Sequence, residues 1–145
     1  MKKISDLNLR KISSGAEKSQ ILSQISDDLV IVKNPSGKQK FTVNDDENKT
    51  FLLLFLKNED SSGEIIVEIK GENAKVRILG MIIGSGDQKI RLHTVQDHSG
   101  KSSVSDLLIK SVLFDAARLN YSGLINIGIG AQKSNAYQKN QNILM

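Results

Sequence analysis

Residues 103–145 read SVSDLLIKSVLFDAARLNYSGLINIGIGAQKSNAYQKNQNILM, and this stretch decides the fold. Three short β-prone runs follow one another in it: Leu107, Ile109 and Val112, then Leu119 and Tyr121, then Leu124, Ile125 and Ile127. A polar run from Ala131 to Asn142 comes next, followed by Ile143 and Leu144. Aliphatic residues at short spacing, with glycine and polar residues between the runs, mark strands.

The same punctuation extends back to Asp28. Leu29-Val30-Ile31-Val32 stops at Asn34-Pro35-Ser36-Gly37, where the single Pro and a Gly mark a turn. Phe41-Thr42-Val43 enters an acidic loop at Asp45-Asp46-Glu47, and Phe51 to Leu56 reads as a buried strand. Ile65, Val67 and Ile69 share one face of the next run, which turns at Gly71-Glu72-Asn73. Val76, Ile78 and then Met81-Ile82-Ile83 lead to Gly84-Ser85-Gly86-Asp87. Ile90, Leu92 and Thr94 alternate with Arg91, His93 and Val95, and a polar loop is expected from Asp97 to Ser103.

Strands at this spacing with no convincing helix between them indicate an all-β chain. A sandwich or barrel fits the spacing, and so does a parallel β-helix. The aliphatic-rich, aromatic-poor core leans toward the solenoid. The domain boundaries expected are a β-helix domain over residues 28–145 and an N-terminal segment over residues 1–27. A short helix is expected in that segment, with Ser14 or Ser19 as its cap.

Composition bounds the function. The chain has 145 residues, near the usual size of one domain, and 39% are hydrophobic, enough for one core. Aromatics are only 4% with no Trp, so core volume must come from Ile, Leu and Val. Cysteine is absent, which excludes disulfides, zinc–thiolate sites and cysteine ligation of an iron–sulfur cluster by this chain. Met1-Lys2-Lys3 leads into polar sequence, and the longest apolar run is far too short to span a bilayer, so a cytoplasmic location is expected. The net charge is +4, but the lysines are scattered and interrupted by acidic clusters. A mixed solvated surface with no nucleic-acid and no membrane partner is the expectation.

Asp97-His98 followed by Ser105-Asp106-Leu107-Leu108-Ile109-Lys110-Ser111-Val112-Leu113, Gly123-Leu124-Ile125-Asn126-Ile127 and the run from Gly130 to Leu144, in that order, resembles the core of the SufB/SufD family of iron–sulfur cluster assembly scaffolds. The resemblance is strongest from about Gly80 onward. It implies a right-handed parallel β-helix. Asn140 stands where SufB-type proteins carry Cys and SufD-type proteins tend to carry Asn, so the chain looks more like the SufD branch. The resemblance also implies a SufB-like paralogue and a SufC-like ATPase as partners, and a scaffold role without catalysis by this chain. Two departures stand out. Ser102 occupies the place of a second family His, and family members continue beyond this end into further β-helix, a Cys-Ser-His-Gly segment and a helical domain, which reads as truncation.

The family-motif and structural residues are His98, Ser105, Gly123, Gln132, Asn135, Gln138, Asn140 and Asn142. Asp97 and His98 are the weak metal candidates, because a metal site needs three or four converging donors and neighbours on a strand face opposite ways. His98 is expected to fix a corner by hydrogen bonding. Ser103 and Ser105 near His98 and Asp106 imitate a hydrolase triad but lack a nucleophile elbow, so they read as turn formers. The glycines of Gly84-Ser85-Gly86 and Gly128-Ile129-Gly130 read as corners, since no Gly-Lys-Ser/Thr ending follows. The polar run from Gln132 to Asn142 admits two readings, amide ladders between rungs and a frayed end. No cofactor bound by this chain alone is expected, and an iron–sulfur cluster only within a complex. Exposed rung edges near Leu144 predict a homo-oligomer or docking onto a longer paralogue. The alternative from another class is a carbohydrate-active β-helix enzyme using paired carboxylates among Asp87, Asp97 and Asp106.

Overall fold

The computed structural model describes residues 28–145, so the helix expected near the N-terminus lies outside the described residues. Nine strands follow one another: β1 (Leu29–Lys33), β2 (Gly37–Val43), β3 (Asn48–Phe55), β4 (Ser61–Ile69), β5 (Lys75–Gly84), β6 (Lys89–His98), β7 (Val104–Leu113), β8 (Arg118–Ile127) and β9 (Asn135–Leu144). Odd-numbered strands form one sheet in the order β1-β3-β5-β7-β9, and even-numbered strands form a second in the order β2-β4-β6-β8. All seven pairings are parallel. Each strand therefore hands over to the opposite sheet and returns one rung higher, which makes a parallel β-solenoid of about four turns, as the sequence and its resemblance implied.

Lys75 lies beside Val104 and Lys89 beside Arg118, so the central rungs repeat every 29 residues. Corners make that repeat possible. Asp46, Asn73, Ser102 and Lys133 all have positive φ near 53–61° and stack along one edge. Asn73 N–H donates to the Lys101 carbonyl and Ser102 N–H to the Gln132 carbonyl, so each corner uses the next as its hydrogen-bond partner. Gly71 and Gly100 stack at the same edge. A Cβ on Gly100 would lie 2.0 Å from the Gly71 carbonyl oxygen, so the close backbone approach requires glycine.

The core lies between the sheets. Phe51, Ile78 and Leu107 form one inward column, Leu53, Gly80 and Ile109 the next, and Ile65, Val67 and Ile69 face them from the other sheet. Each fully buried aliphatic side chain contributes about 1.5–3 kcal/mol of transfer free energy. Gly80 completes its column because the Ile109 side chain fills the space a Cβ would take. One expectation is corrected. The polar loop expected from Asp97 begins only after His98, because Thr94, Gln96 and His98 continue the inward alternation of β6 in polar disguise. Val112 faces outward, while Leu107 and Ile109 are core.

Candidate functional site

Alternation in β6 places Gln96 and His98 inside the solenoid, and the corner after it brings Ser103 and Ser105 to meet them. All four are buried, with His98 fully enclosed. His98 Nδ1 lies 2.7 Å from Ser103 Oγ and Nε2 lies 2.8 Å from Ser105 Oγ. Ser105 Oγ donates to Gln96 Oε1 at 2.6 Å, so in this arrangement it accepts from His98 Nε2–H. Ser103 Oγ also reaches the Gly100 carbonyl at 3.1 Å and Ser134 Oγ at 3.0 Å, which ties the corner to the following rung. Gly128 N–H donates to the His98 carbonyl at 2.8 Å. Burial holds the imidazole below its usual pKa of 6.5, with the neighbouring Asp97 charge opposing, so the neutral ring is favoured.

His98, expected to fix a corner by hydrogen bonding, engages Ser103 and Ser105 in this arrangement. Asp97 is on the outer face of β6, where it accepts from Asn126 Nδ2 at 2.8 Å, and does not converge with His98. With both ring nitrogens engaged by serine hydroxyls, the donor set does not fit a metal ion or cluster, and no group of three His, Cys, Asp or Glu gathers among the described residues. Asp106 is on the outer face of β7, so the enclosed serines and His98 have no carboxylate partner from it. Asp87 is in the corner between β5 and β6, and Asp97 and Asp106 lie on outer faces of opposite sheets. The paired-carboxylate arrangement is therefore absent.

The remaining motif residues gather at one end of the solenoid. There β8 pairs only with β6 and β9 only with β7, leaving one edge of each free among the described residues. Gln138, Asn140 and Asn142 occupy inward positions of β9 beside Leu107, Ile109 and Ser111. Ser111 Oγ donates to Asn142 Oδ1 at 2.5 Å, and the Gln138 amide lies in the space that a Cβ on Gly123 would take. The amide ladder does not form, because no amide lies in register with another, and the frayed end does not occur either, because β9 pairs along ten residues. Gln132 and Asn135 act through their backbones: the Gln132 carbonyl accepts from Ser102 and Asn135 N–H donates to the Ser103 carbonyl at 3.0 Å.

An open cleft of about 660 Å³ lies between the last two strands, lined in part by Arg118, Leu119, Tyr121, Asn140 and Asn142. Tyr121 OH is 2.6 Å from Thr94 Oγ1, and burial raises the phenol pKa against the opposing effect of that hydrogen bond. Ile127, Ile143 and Leu144 are exposed at this end, Leu144 by 76%. Strand edges of this kind, beside apolar and amide side chains, accept a further parallel strand or rung. Sequence reasoning missed Gln96, although an alternating strand that already buries Ile90, Leu92 and Thr94 carries the signal.

Comparison with curated proteins and with solved structures returned no match. A family model described as "SUF system FeS cluster assembly, SufBD core domain" matches residues 36–145. Those residues run from the turn before β2 to the end of β9, so the match covers nearly the whole solenoid. The chain belongs to the SufBD core domain family of the SUF iron–sulfur cluster assembly system.

Proposed function

We propose that the chain is a SufD-like scaffold component of iron–sulfur cluster assembly, acting in the cytoplasm by associating with a SufB-like paralogue and a SufC-like ATPase. One observation supports the reading: β9 presents Asn140, at the position where the resemblance expects Cys in SufB-type relatives, at an exposed inward position beside Ile109. An amide there offers hydrogen bonds and no thiolate. The division of labour that follows gives this chain shape and docking surface, and gives cluster ligation and ATP hydrolysis to partners. No bond is made or broken by its own residues, and the cluster is cargo of the complex. Association proceeds through the exposed inward positions of β8 and β9, where Ile127, Asn140 and Leu144 are open.

The test is reciprocal co-purification from the native cytosol with a tag on this chain and, separately, on the SufB-like protein. Recovery of both the paralogue and the ATPase in each direction supports the proposal. Recovery of this chain alone, or only as a homo-oligomer, overturns the SufD-like role.

A further inference from the structure

The two sheets differ on their outer faces. On β4, β6 and β8 the outward positions are mostly polar, among them Glu64, Glu68, Arg91, His93, Asp97, Asn120, Ser122 and Asn126. On the odd-numbered strands the outward positions near the middle of the sheet are aliphatic, with charged and polar residues around them. Ile31, Leu52, Leu79 and Leu108, all half-buried, line up in register across four strands, flanked by Met81, Ile83, Val112 and Ile143. Met81 is 51% exposed and Ile143 is 56% exposed. Strands that are apolar on both faces are the mark of a sheet covered on both sides, and here only the inner face is covered by the opposite sheet.

Charge identifies what covers the other. The exposed charged residues of this face are Lys33, Lys75, Arg77, Lys110 and Lys139 against one acidic side chain, Asp106. The scattered lysines of the sequence thus become a basic rim around an aliphatic band. A second copy would bring the same sign of charge to the same rim. Residues 1–27 hold five basic and three acidic side chains, so that segment has the same sign too. Four strands span only about 14 Å between the outer two, and three outward residues along a strand about 13 Å, far below the roughly 800 Å² per partner of a stable dimer. These dimensions match two to three turns of one helix.

We infer that the outer face of the β1-β3-β5-β7-β9 sheet docks an acidic amphipathic helix of a partner protein, its aliphatic stripe on Leu52, Leu79 and Leu108 and its carboxylates on the basic rim. Nucleic acid would use the rim and leave the aliphatic band uncovered. This surface reaches the β8–β9 end only through Lys139 and Ile143 of β9, and binding read through Met81 of β5 and Lys110 of β7 does not depend on the role proposed for that end.

The test is fluorescence anisotropy of the full chain with a labelled helical peptide carrying a leucine stripe flanked by glutamates, and with a matched peptide flanked by lysines. Saturable binding of the glutamate peptide, at least tenfold weaker for the lysine peptide and for Met81→Glu and Lys110→Glu, supports the assignment. Arg91→Glu, on the outer face of the other sheet, should leave binding unchanged. Met81 and Lys110 are exposed, so both variants retain the fold, which circular dichroism verifies. Equal affinity for both peptides, no saturable binding, indifference to Met81→Glu, cross-links from residues 1–27 to Lys110, or Met81-dependent binding to phosphatidylserine vesicles in place of the peptide would each overturn it.

Discussion

Replacing Gln96 with Leu should stabilise the protein. Gln96 is fully buried, its Oε1 accepts from Ser105, and its Nε2 has no hydrogen-bond partner. Its neighbours in the rung column are Val67 and Ile125, both aliphatic. An orphaned buried amide costs about 1–3 kcal/mol, while the bond lost with Oε1 is worth about 0.5–1.5 kcal/mol. Ser105 does not become an orphan in turn. Its hydroxyl can donate to His98 Nε2 while Nδ1–H donates to Ser103 Oγ, which already reaches the Gly100 carbonyl. The tautomer shift satisfies every remaining member, and Leu fills nearly the same volume. The net expected gain is about 1 kcal/mol, or about 4 °C in Tm for a domain of this size. Urea denaturation followed by far-ultraviolet circular dichroism, with the thermal midpoint as a second reading, measures it. Destabilisation by more than about 1 kcal/mol would refute the reasoning, because the amide would then have to be well partnered.

Three further outcomes follow from the same corner and its neighbours. Ser105→Ala removes the one hydroxyl that joins His98 to Gln96, leaving two buried polar atoms without partners, and should cost about 2–4 kcal/mol in urea denaturation. Stability should fall with acidification below pH 6.5: the folded His98 pKa is depressed, so the unfolded chain binds more protons as pH drops from 6.5 through the folded value. The slope of the urea midpoint against pH in that window should flatten in His98→Gln, and an unchanged slope would contradict a neutral buried ring. Gly100→Ala should cost about 3 kcal/mol, since its Cβ would meet backbone at 2.0 Å and the corner stack must shift, as thermal unfolding would show.

The all-β class was legible in the sequence from aliphatic alternation such as Ile65-Val67-Ile69 and Ile90-Leu92, while the solenoid was legible only through the family resemblance of the C-terminal run. The 29-residue repeat was not. Its corners are built by backbone geometry, and positive φ is taken by Asp46, Asn73, Ser102 and Lys133, four residues of differing chemistry that no single pattern selects. His98 could be read as a brace from its lone position, yet its partners could not, because Ser103, five residues on, meets it only through the fold of the corner. Asp97 and His98, adjacent in sequence, separate onto opposite faces for the reason that governs any strand. The aliphatic outer face of the odd-numbered strands was half visible in Phe51 to Leu56, whose unbroken apolar run covers both faces of β3.

Light scattering of the purified chain mixed with its SufB-like paralogue tests the scaffold role most directly. A 1:1 complex is expected, and Asn140→Lys, a charge placed at an exposed inward position of β9, should weaken it at least tenfold without loss of fold. Two separate species at high micromolar concentration, or a complex indifferent to Asn140→Lys, would contradict it.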